Sequence, residues 1–195
     1  MIGSIGYSLR NLFNFSGRDA RSTFWLYLLF LVVLQFAVSI ITIAPVYFEM
    51  FSAAFDAGQS GAQPEDLERM MLGNMAGMME RQVLVGLAVT IVSGILFAAS
   101  FVRRLHDSGK SGWWLLAAYV PVFGSALYNY AYLDDVLAVM QASMTPGSPA
   151  DTMARQSELY AYSALSYIGY LVVIVFGVMK SDEGPNRYGP EPVGA

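Results

Sequence analysis

The stretch STFWLYLLFLVVLQFAVSIITIAPVYF, residues 22 to 48, contains no Asp, Glu, Lys, Arg or His. About 20 apolar residues in a helix are enough to cross the hydrocarbon of a bilayer, because each residue adds 1.5 Å. A cleaved signal peptide has a shorter apolar core followed by a small-residue cleavage site, and such a site is missing here. We therefore predict a transmembrane helix that stays in the mature chain.

Three further uncharged windows follow, at 82–102, 111–133 and 159–179. The chain is 55% hydrophobic and only 13% charged, with a mean hydropathy of +0.47, whereas soluble domains are about one quarter charged. We predict an all-α polytopic membrane protein, a four-transmembrane-helix bundle that forms a single membrane domain over residues 1–195. The predicted spans are about 24–46, 83–102, 113–131 and 159–179.

The distribution of basic residues predicts the orientation. Eight of the eleven lysines and arginines lie in the two tails and in the 103–112 loop, and segments rich in Lys and Arg stay in the cytoplasm. Both termini and the 103–112 loop are therefore expected inside, with outer loops at 47–82 and 132–158. The tryptophans are expected to anchor the spans at the cytoplasmic interface; they are Trp25, Trp113 and Trp114.

The N-terminal segment and the first outer loop show helical patterns. Within residues 1–15, apolar side chains recur at helical spacing and predict a short interfacial helix, with a disordered tail as the alternative. Pro45 is expected to end the first span. A flexible stretch over 56–64 precedes a helix that begins at Pro64, a residue that suits a first helical position.

The second outer loop predicts an extended outer helical hairpin. The stretch TPGSP, residues 145–149, breaks the helix that continues from the third span. A second helix is expected to start near Ala150 and to run unbroken into the fourth span.

The second span carries small residues every four positions. In lipid, small side chains at this interval let helix backbones approach closely. We expect this stripe to pack against the rest of the bundle, with self-association as the second use. It consists of Gly86, Thr90, Gly94 and Ala98.

No catalytic or metal site is predicted. The SGKSG in 108–112 is similar to the end of a phosphate-binding loop, but Arg104 stands where that loop requires its first glycine. His106 and Asp107 are adjacent and no nucleophile elbow accompanies them, which disfavours a hydrolase triad. Because the spans lack ionisable groups, a conventional ion-coupled transporter is also disfavoured. With one histidine and no cysteine, no metal or other cofactor is expected.

Three segments resemble the signatures of a known family. They are NFSGRDARSTFW (14–25), RRLHDSGKSGWWLL (103–116) and GPNRYGP (184–190), which are similar to those of the YhaH-like bacterial inner-membrane family, domain of unknown function 805. Thr23 departs from the acidic residue usual in the first signature, and both outer loops are longer. The resemblance implies a small helical inner-membrane protein and brings no established biochemical activity.

The predicted topology places all three segments on the cytoplasmic side, so their polar residues converge on one cap. In one interpretation, Asp19 and Asp107 pair with arginines and lock the helices together; in the other, arginines grip phosphate on an anionic lipid or ligand. The cap residues are Arg18, Arg21, Arg103, Arg104, His106, Asp107, Lys110, Asn186 and Arg187.

These patterns favour a non-enzymatic accessory or scaffold subunit of a membrane complex. Its partner would be another membrane protein or a second copy of the chain, within membrane lipids that include anionic headgroups. The alternative is binding or transport of an anionic lipid or small solute through the cap. With a net charge of −4, no nucleic-acid partner is expected.

Overall fold

A computed structural model describes residues 2–61, 63–144 and 150–192; within the helices some side chains, among them those of Met71 and Met75, are not described. In this part of the chain every regular element is a helix, which confirms the all-α class. The predicted break at 145–149 lies outside the described residues. The helices are α1 (Ile2–Arg10), α2 (Arg21–Ser60), α3 (Pro64–Asp107), α4 (Trp114–Ala131), α5 (Leu133–Met144), α6 (Ala150–Ala164) and α7 (Ser166–Val178).

Helix α2 continues through Pro45 for 40 residues, so the prediction that Pro45 ends the first span is wrong. Proline removes one backbone donor inside a helix. In an apolar environment, however, ending the helix would leave several more backbone groups without partners.

The connection between α2 and α3 is shorter than the sequence indicates. Gly61 ends α2 in the left-handed conformation, with φ +66°, and its N–H donates to the carbonyl of Ala57. The prediction of a flexible 56–64 stretch is therefore wrong for residues 56–60, which are helical. Pro64 begins α3 as predicted.

Three helices in the described part of the chain are long and apolar enough to cross a membrane: Arg21–Gln59, Gly77–Asp107 and Leu159–Val178. The predicted third span corresponds to α4, which has 18 residues and is not among the three. Tyrosines and Asn129 make its second half less hydrophobic.

The described residues between α4 and α7 are helical. Helices α5 and α6 pack against each other. Helix α6 continues into α7, since Leu159–Val178 forms one apolar helix and Leu165 keeps helical dihedral angles of φ −57° and ψ −31°. The helix tightens locally at this residue, where the N–H of Leu165 donates to the carbonyl of Tyr162 and the hydroxyl of Ser166 donates to the carbonyl of Ser163 at 2.8 Å.

An aromatic core joins α2 and α3. The rings of Phe24 and Phe97 lie 5.6 Å apart, and Phe97 stacks on Phe101 at 5.5 Å. The phenol of Tyr27 donates to the carbonyl of Leu96 at 3.0 Å, so its polar end is satisfied. The buried core consists of Phe24, Tyr27, Leu31, Phe97, Phe101, Leu105, Ala118 and Phe176.

Two glycines of α7 lie at close helix contacts that the sequence pattern does not indicate. A Cβ at Gly169 would lie 2.3 Å from the carbonyl oxygen of Ala118 in α4, and one at Gly177 would lie 2.7 Å from the Trp25 ring. Both helix contacts therefore require glycine.

The small residues of the α3 stripe have different packing environments. A Cβ at Gly94 would lie 2.4 Å from the Phe123 ring, so this residue packs against α4 as expected. Gly86 has no heavy atom within 4 Å of that position, and it lines a cavity with Thr90. Ala98, the last residue of the stripe, is half-buried.

Candidate functional site

The polar end of the bundle contains five buried charged residues: Arg18, Asp19, Arg103, Arg104 and Asp107. We call them the arginine–aspartate network. Two of them precede α2, and three lie in the last turns of α3. The prediction of a loop over 103–112 is therefore wrong for residues 103–107, which are helical. Gly109 then turns the chain toward α4 in the left-handed conformation, with φ +68°.

Asp107 lies at the centre of the network, with no exposed side-chain surface. Its Oδ1 lies 3.0 Å from both Nε and Nη2 of Arg18. Its Oδ2 accepts hydrogen bonds from Arg104 and from the hydroxyl of Ser181, and its backbone oxygen accepts the N–H of Asp182 at 2.8 Å. One aspartate therefore joins the segment before α2, the end of α3 and the segment after α7.

The arginines also bind the backbone of the C-terminal segment. Arg104 donates to the carbonyl of Gly177 at 3.2 Å and to that of Met179. Arg18 donates to the carbonyl of Gly184 at 2.6 Å. These carbonyls lie beyond the last hydrogen bonds of α7, so the guanidinium groups satisfy them and fix the course of the chain.

A second ion pair, between Arg103 and Asp19, connects the N-terminal segment to α3. Nε of Arg103 donates to Asp19 at 2.8 Å, and the other oxygen of Asp19 accepts the hydroxyl of Ser100 at 3.0 Å. Nη1 of Arg103 donates to the carbonyls of Asn11 and Asn14. The backbone N–H of Asp19 donates to the carbonyl of Arg103 at 3.1 Å, so side chains and backbone hold the same junction.

Two polar atoms at this junction are buried without a hydrogen-bond partner among the described residues: Nη2 of Arg103 and Oγ of Ser8. The Tyr7 ring lies 5.5 Å from the Arg103 guanidinium carbon, a distance suited to a cation–π contact. Burial and the neighbouring Asp19 carboxylate raise the pKa of the Tyr7 phenol. The phenol of Tyr7 thus stays neutral to higher pH than an ordinary tyrosine, and Asp19 is the carboxylate that pairs with Arg103.

His106 and the C-terminal segment form a stacked edge beside the network. The His106 ring stacks on Tyr188 with centroids 3.8 Å apart, and its Nδ1 lies 3.3 Å from the carbonyl oxygen of Gly17. The amide of Asn186 donates to the carbonyl of His106 at 2.9 Å. The guanidinium of Arg187 lies 4.6 Å from the Tyr188 ring centre. These contacts hold the C-terminal segment against the end of α3.

The structure brings together some predicted cap residues and leaves others at the surface. Arg18, Arg103, Arg104 and Asp107 are buried in the network, and His106 and Asn186 are half-buried beside it. Three cations are exposed instead: Arg21, Lys110 and Arg187.

Lys180 is also exposed and pairs with Glu183 at 2.5 Å. Its hydrogen bond to that carboxylate raises the pKa of Lys180 and lowers the pKa of Glu183. Both side chains are more than three-quarters exposed, so this pair serves as a solvated reference for the buried ones.

The predicted tryptophan anchors have different environments. Trp25 is half-buried, and its indole N–H donates to the carbonyl of Gly177 at 3.2 Å. Trp114 is about half exposed and packs against Phe176, while Trp113 is 78% exposed. Trp25 is therefore a packing residue of the bundle, and Trp113 has the exposure that an interface anchor requires.

The network holds three guanidinium groups and two carboxylates, a formal charge of +1. Both carboxylates accept hydrogen bonds at each oxygen from side chains of the protein. Within the described residues, no group of three His, Cys, Asp or Glu side chains is placed to hold a metal ion.

A family model described as "Protein of unknown function (DUF805)" matches residues 12–190. The chain belongs to the DUF805 family. It is 22% identical over 188 residues to the inner membrane protein YhaH of Escherichia coli strain K12 and equally to that of Escherichia coli O157:H7, with 94% of this chain and 91% of each relative covered. No solved structure gives a significant match. Together with the three apolar helices, this sequence similarity supports the conclusion that the chain is a multi-pass inner-membrane protein.

The three segments that carry the DUF805 resemblance are the segments that meet in the network. Residues 14–25 supply Arg18 and Asp19, residues 103–116 supply Arg103, Arg104 and Asp107, and residues 184–190 supply the stacked edge. The sequence analysis missed Ser100, Ser181 and Tyr188. Ser100 lies three residues before Arg103 on α3, a helical spacing that could have indicated a shared face.

Proposed function

We propose that this DUF805 chain is a non-enzymatic scaffold subunit of the inner membrane. In this proposal the arginine–aspartate network holds one end of the helix bundle in a fixed arrangement, and the opposite end presents long helices to a partner. The partner is another membrane protein or a second copy of the chain. The saturation of Asp19 and Asp107 by arginines and serines supports a structural role over a catalytic one.

In this proposal the chain crosses the membrane four times, with both termini in the cytoplasm. Support for the fourth crossing comes from α4, whose 18 residues span about 27 Å, close to the hydrocarbon thickness of about 30 Å. Helix α4 packs against both α3 and α7, and its buried Ala118 and Ser125 face the bundle. Helix α1 then lies on the inner leaflet beside the network.

The observation that carries the scaffold proposal is the excess length of α2 and α3. At 40 and 44 residues, they extend about 60 and 66 Å, roughly twice the hydrocarbon thickness. From the last residue of the uncharged window onward, α2 exposes Phe48, Phe51 and Phe55 at 73%, 72% and 58%. Their spacing of three and four residues places them on one face of the helix, which we call the aromatic stripe.

The surroundings of the aromatic stripe favour a protein partner. Glu49 and Asp56 lie on the same part of α2, and both side chains are exposed. An apolar patch rimmed by charge is typical of protein contact surfaces, and aromatic side chains contribute strongly to binding there.

The test is site-specific photocrosslinking in cells, with the photoreactive residue at position 51. The matched control is Leu29, which is 54% exposed on the same helix at the opposite end. The proposal predicts a discrete protein adduct at position 51 and only lipid adducts at position 29. If position 51 in the membrane-inserted chain gave no protein adduct, the scaffold proposal would be contradicted.

A second candidate, binding of anionic lipid headgroups, is favoured by the exposed cations around the network. Arg21, Lys110, Arg187 and Lys180 are exposed beside a buried cluster of net positive charge. The candidate site is this rim, because every guanidinium nitrogen of Arg18 and Arg104 already donates a hydrogen bond within the protein. Each basic group near an anionic surface adds about 1 kcal/mol.

Lipid analysis of the purified protein tests this candidate. Replacing Arg21, Lys110 and Arg187 by glutamine is expected to lower the retained phosphatidylglycerol, whereas Arg81→Gln, an exposed change in the outer part of α3, is expected to leave it unchanged. Equal retention in the two variants would exclude the rim as a lipid site.

A further inference from the structure

A cavity of about 560 Å³ lies at the end of the bundle opposite the network, between α3, α4, α5 and the junction of α6 with α7. Gly86, on its wall, precedes Arg104 by 18 residues, so the two sites are separated by about 27 Å along α3. The cavity is therefore independent of the arginine–aspartate network and of the function proposed for it. Its volume is in the range of small-molecule sites, about 300–1,000 Å³.

Residue choice on α3 keeps this space open. No heavy atom lies within 4 Å of a Cβ placed on Gly86, so any larger side chain there would project into the cavity or its mouth. Thr90, one turn later, donates its hydroxyl hydrogen to the carbonyl of Gly86 at 2.8 Å. Its polar group is thereby satisfied, and the rest of its side chain contributes an apolar wall.

The serine hydroxyls on the wall are engaged with the protein. Ser125 and Ser166 both donate to the carbonyl of Ser163, at 3.2 and 2.8 Å. Ser163 donates to the side-chain oxygen of Asn129 at 2.9 Å. The neutral donors that the described wall offers to a bound molecule are thus the amide nitrogens of Asn129 and Gln82 and the phenol hydroxyls of Tyr167 and Tyr170.

The cavity does not suit an ion. The described residues that line it carry no formal charge, and burying an unpaired charge in such surroundings is costly. Aliphatic side chains form much of the remaining wall, including Val83, Leu87, Val122 and Val136. Tyr167 and Tyr170 also line the site and are 71% and 51% exposed, so it opens on the outside of the bundle.

We propose that this cavity binds an uncharged amphiphile that enters from the bilayer. An ester or hydroxyl oxygen accepts hydrogen bonds from the amide nitrogen of Asn129, and an aliphatic chain lies along the valine and leucine wall. A monoacylglycerol has this chemistry, whereas a phospholipid would bring a phosphate to a wall without a cation.

The experiment uses the full chain in detergent and two photoreactive probes with the same diazirine-bearing acyl chain. One probe is a monoacylglycerol, and the other is the corresponding anionic acylglycerol phosphate. Mass spectrometry identifies the labelled peptides. The proposal predicts labelling of cavity-lining peptides by the monoacylglycerol, at least about fivefold above labelling by the phosphate probe. Equal labelling by the two probes, or labelling confined to other surfaces, would overturn it.

Two variants with a matched control tie the labelling to the cavity. Gly86→Phe fills the space and is expected to reduce cavity labelling about tenfold, while Ala88→Phe, an exposed change two residues away on α3, leaves it unchanged. Asn129→Leu removes the donor at nearly constant size and is expected to reduce labelling at least threefold. Circular dichroism shows whether each variant folds. Folded Gly86→Phe and Asn129→Leu chains that label like wild type would refute the assignment.

Discussion

Replacing Asp107 by asparagine tests the role of the arginine–aspartate network with the smallest change of shape. The carboxylate pairs with Arg18 and Arg104 and accepts the hydroxyl of Ser181, and it has no exposed surface. In Asp107→Asn, an amide N–H2 replaces one acceptor and faces donors instead. The formal charge of the buried network also rises from +1 to +2.

The expected loss is large because both partners of Asp107 stay charged and buried. Removing one member of a buried ion pair costs about 3–5 kcal/mol. Arg18 and Arg104 both have 0% side-chain exposure, so water cannot replace the lost carboxylate without local opening. Their carbonyl contacts with the C-terminal segment remain, and for this reason we expect about 3 kcal/mol rather than the sum over two broken pairs.

The assay is unfolding of the purified chain in mild detergent by titration with sodium dodecyl sulfate, followed by far-ultraviolet circular dichroism. Lys180→Ala is the control, because it breaks an ion pair that is exposed at both ends, and it is expected to shift the midpoint by no measurable amount. An Asp107→Asn variant as stable as wild type would refute the reasoning that the network locks this end of the bundle.

The other predictions concern packing and the C-terminal segment. Gly169→Ala places a methyl carbon 2.3 Å from a carbonyl oxygen of α4 and is expected to cost about 1–3 kcal/mol in the same titration; Gly124→Ala, with nothing within 4 Å, is expected to cost nothing. Tyr27→Phe removes a 3.0 Å hydrogen bond and is expected to cost about 0.5–1.5 kcal/mol. Asn186→Ala removes two side-chain donor contacts, at 2.9 and 3.1 Å, worth about 1 kcal/mol each, so trypsin is expected to cleave the tail about thirtyfold faster while helix content stays unchanged.

Local signals predicted the helical membrane class and the start of α3 well. The uncharged windows and Pro64 are properties of short segments, which the sequence shows directly. The predictions that failed concern Pro45 and the stretches 56–60 and 103–107, all of which are helical. A proline inside a helix is tolerated when the surroundings exclude water, and residues 103–107 stay helical where their charged side chains find buried partners. Both outcomes depend on the environment rather than on the residue alone.

The candidate site was predictable in composition but not in pairing. Counting arginines and aspartates in the three segments indicated a polar cap, and four of those cap residues are buried together in the network. Which arginine pairs with which aspartate depends on how the ends of α2, α3 and α7 meet in space. Backbone carbonyls supply many of the partners of Arg18, Arg103 and Arg104, and a sequence pattern does not show which carbonyls a fold leaves open.

The cavity could not be predicted from the sequence, because it depends on which residues face each other across two helices. Gly86 and Gly94 lie on one stripe of α3, and both were expected to pack closely. Gly94 meets the Phe123 ring, whereas Gly86 meets nothing within 4 Å. The difference arises from the facing helix, since a large ring covers one position and leaves the other open.

Single-cysteine labelling tests the four-crossing account most directly, and the chain has no native cysteine to interfere. Position 110 lies between α3 and α4, position 132 lies between α4 and α5, and both are exposed. If α4 crosses the membrane and the network lies beneath the inner leaflet, an impermeant maleimide added to intact cells labels position 132 and reaches position 110 only after the cells are broken. Labelling of both positions, or of position 110 alone, in intact cells would contradict the account.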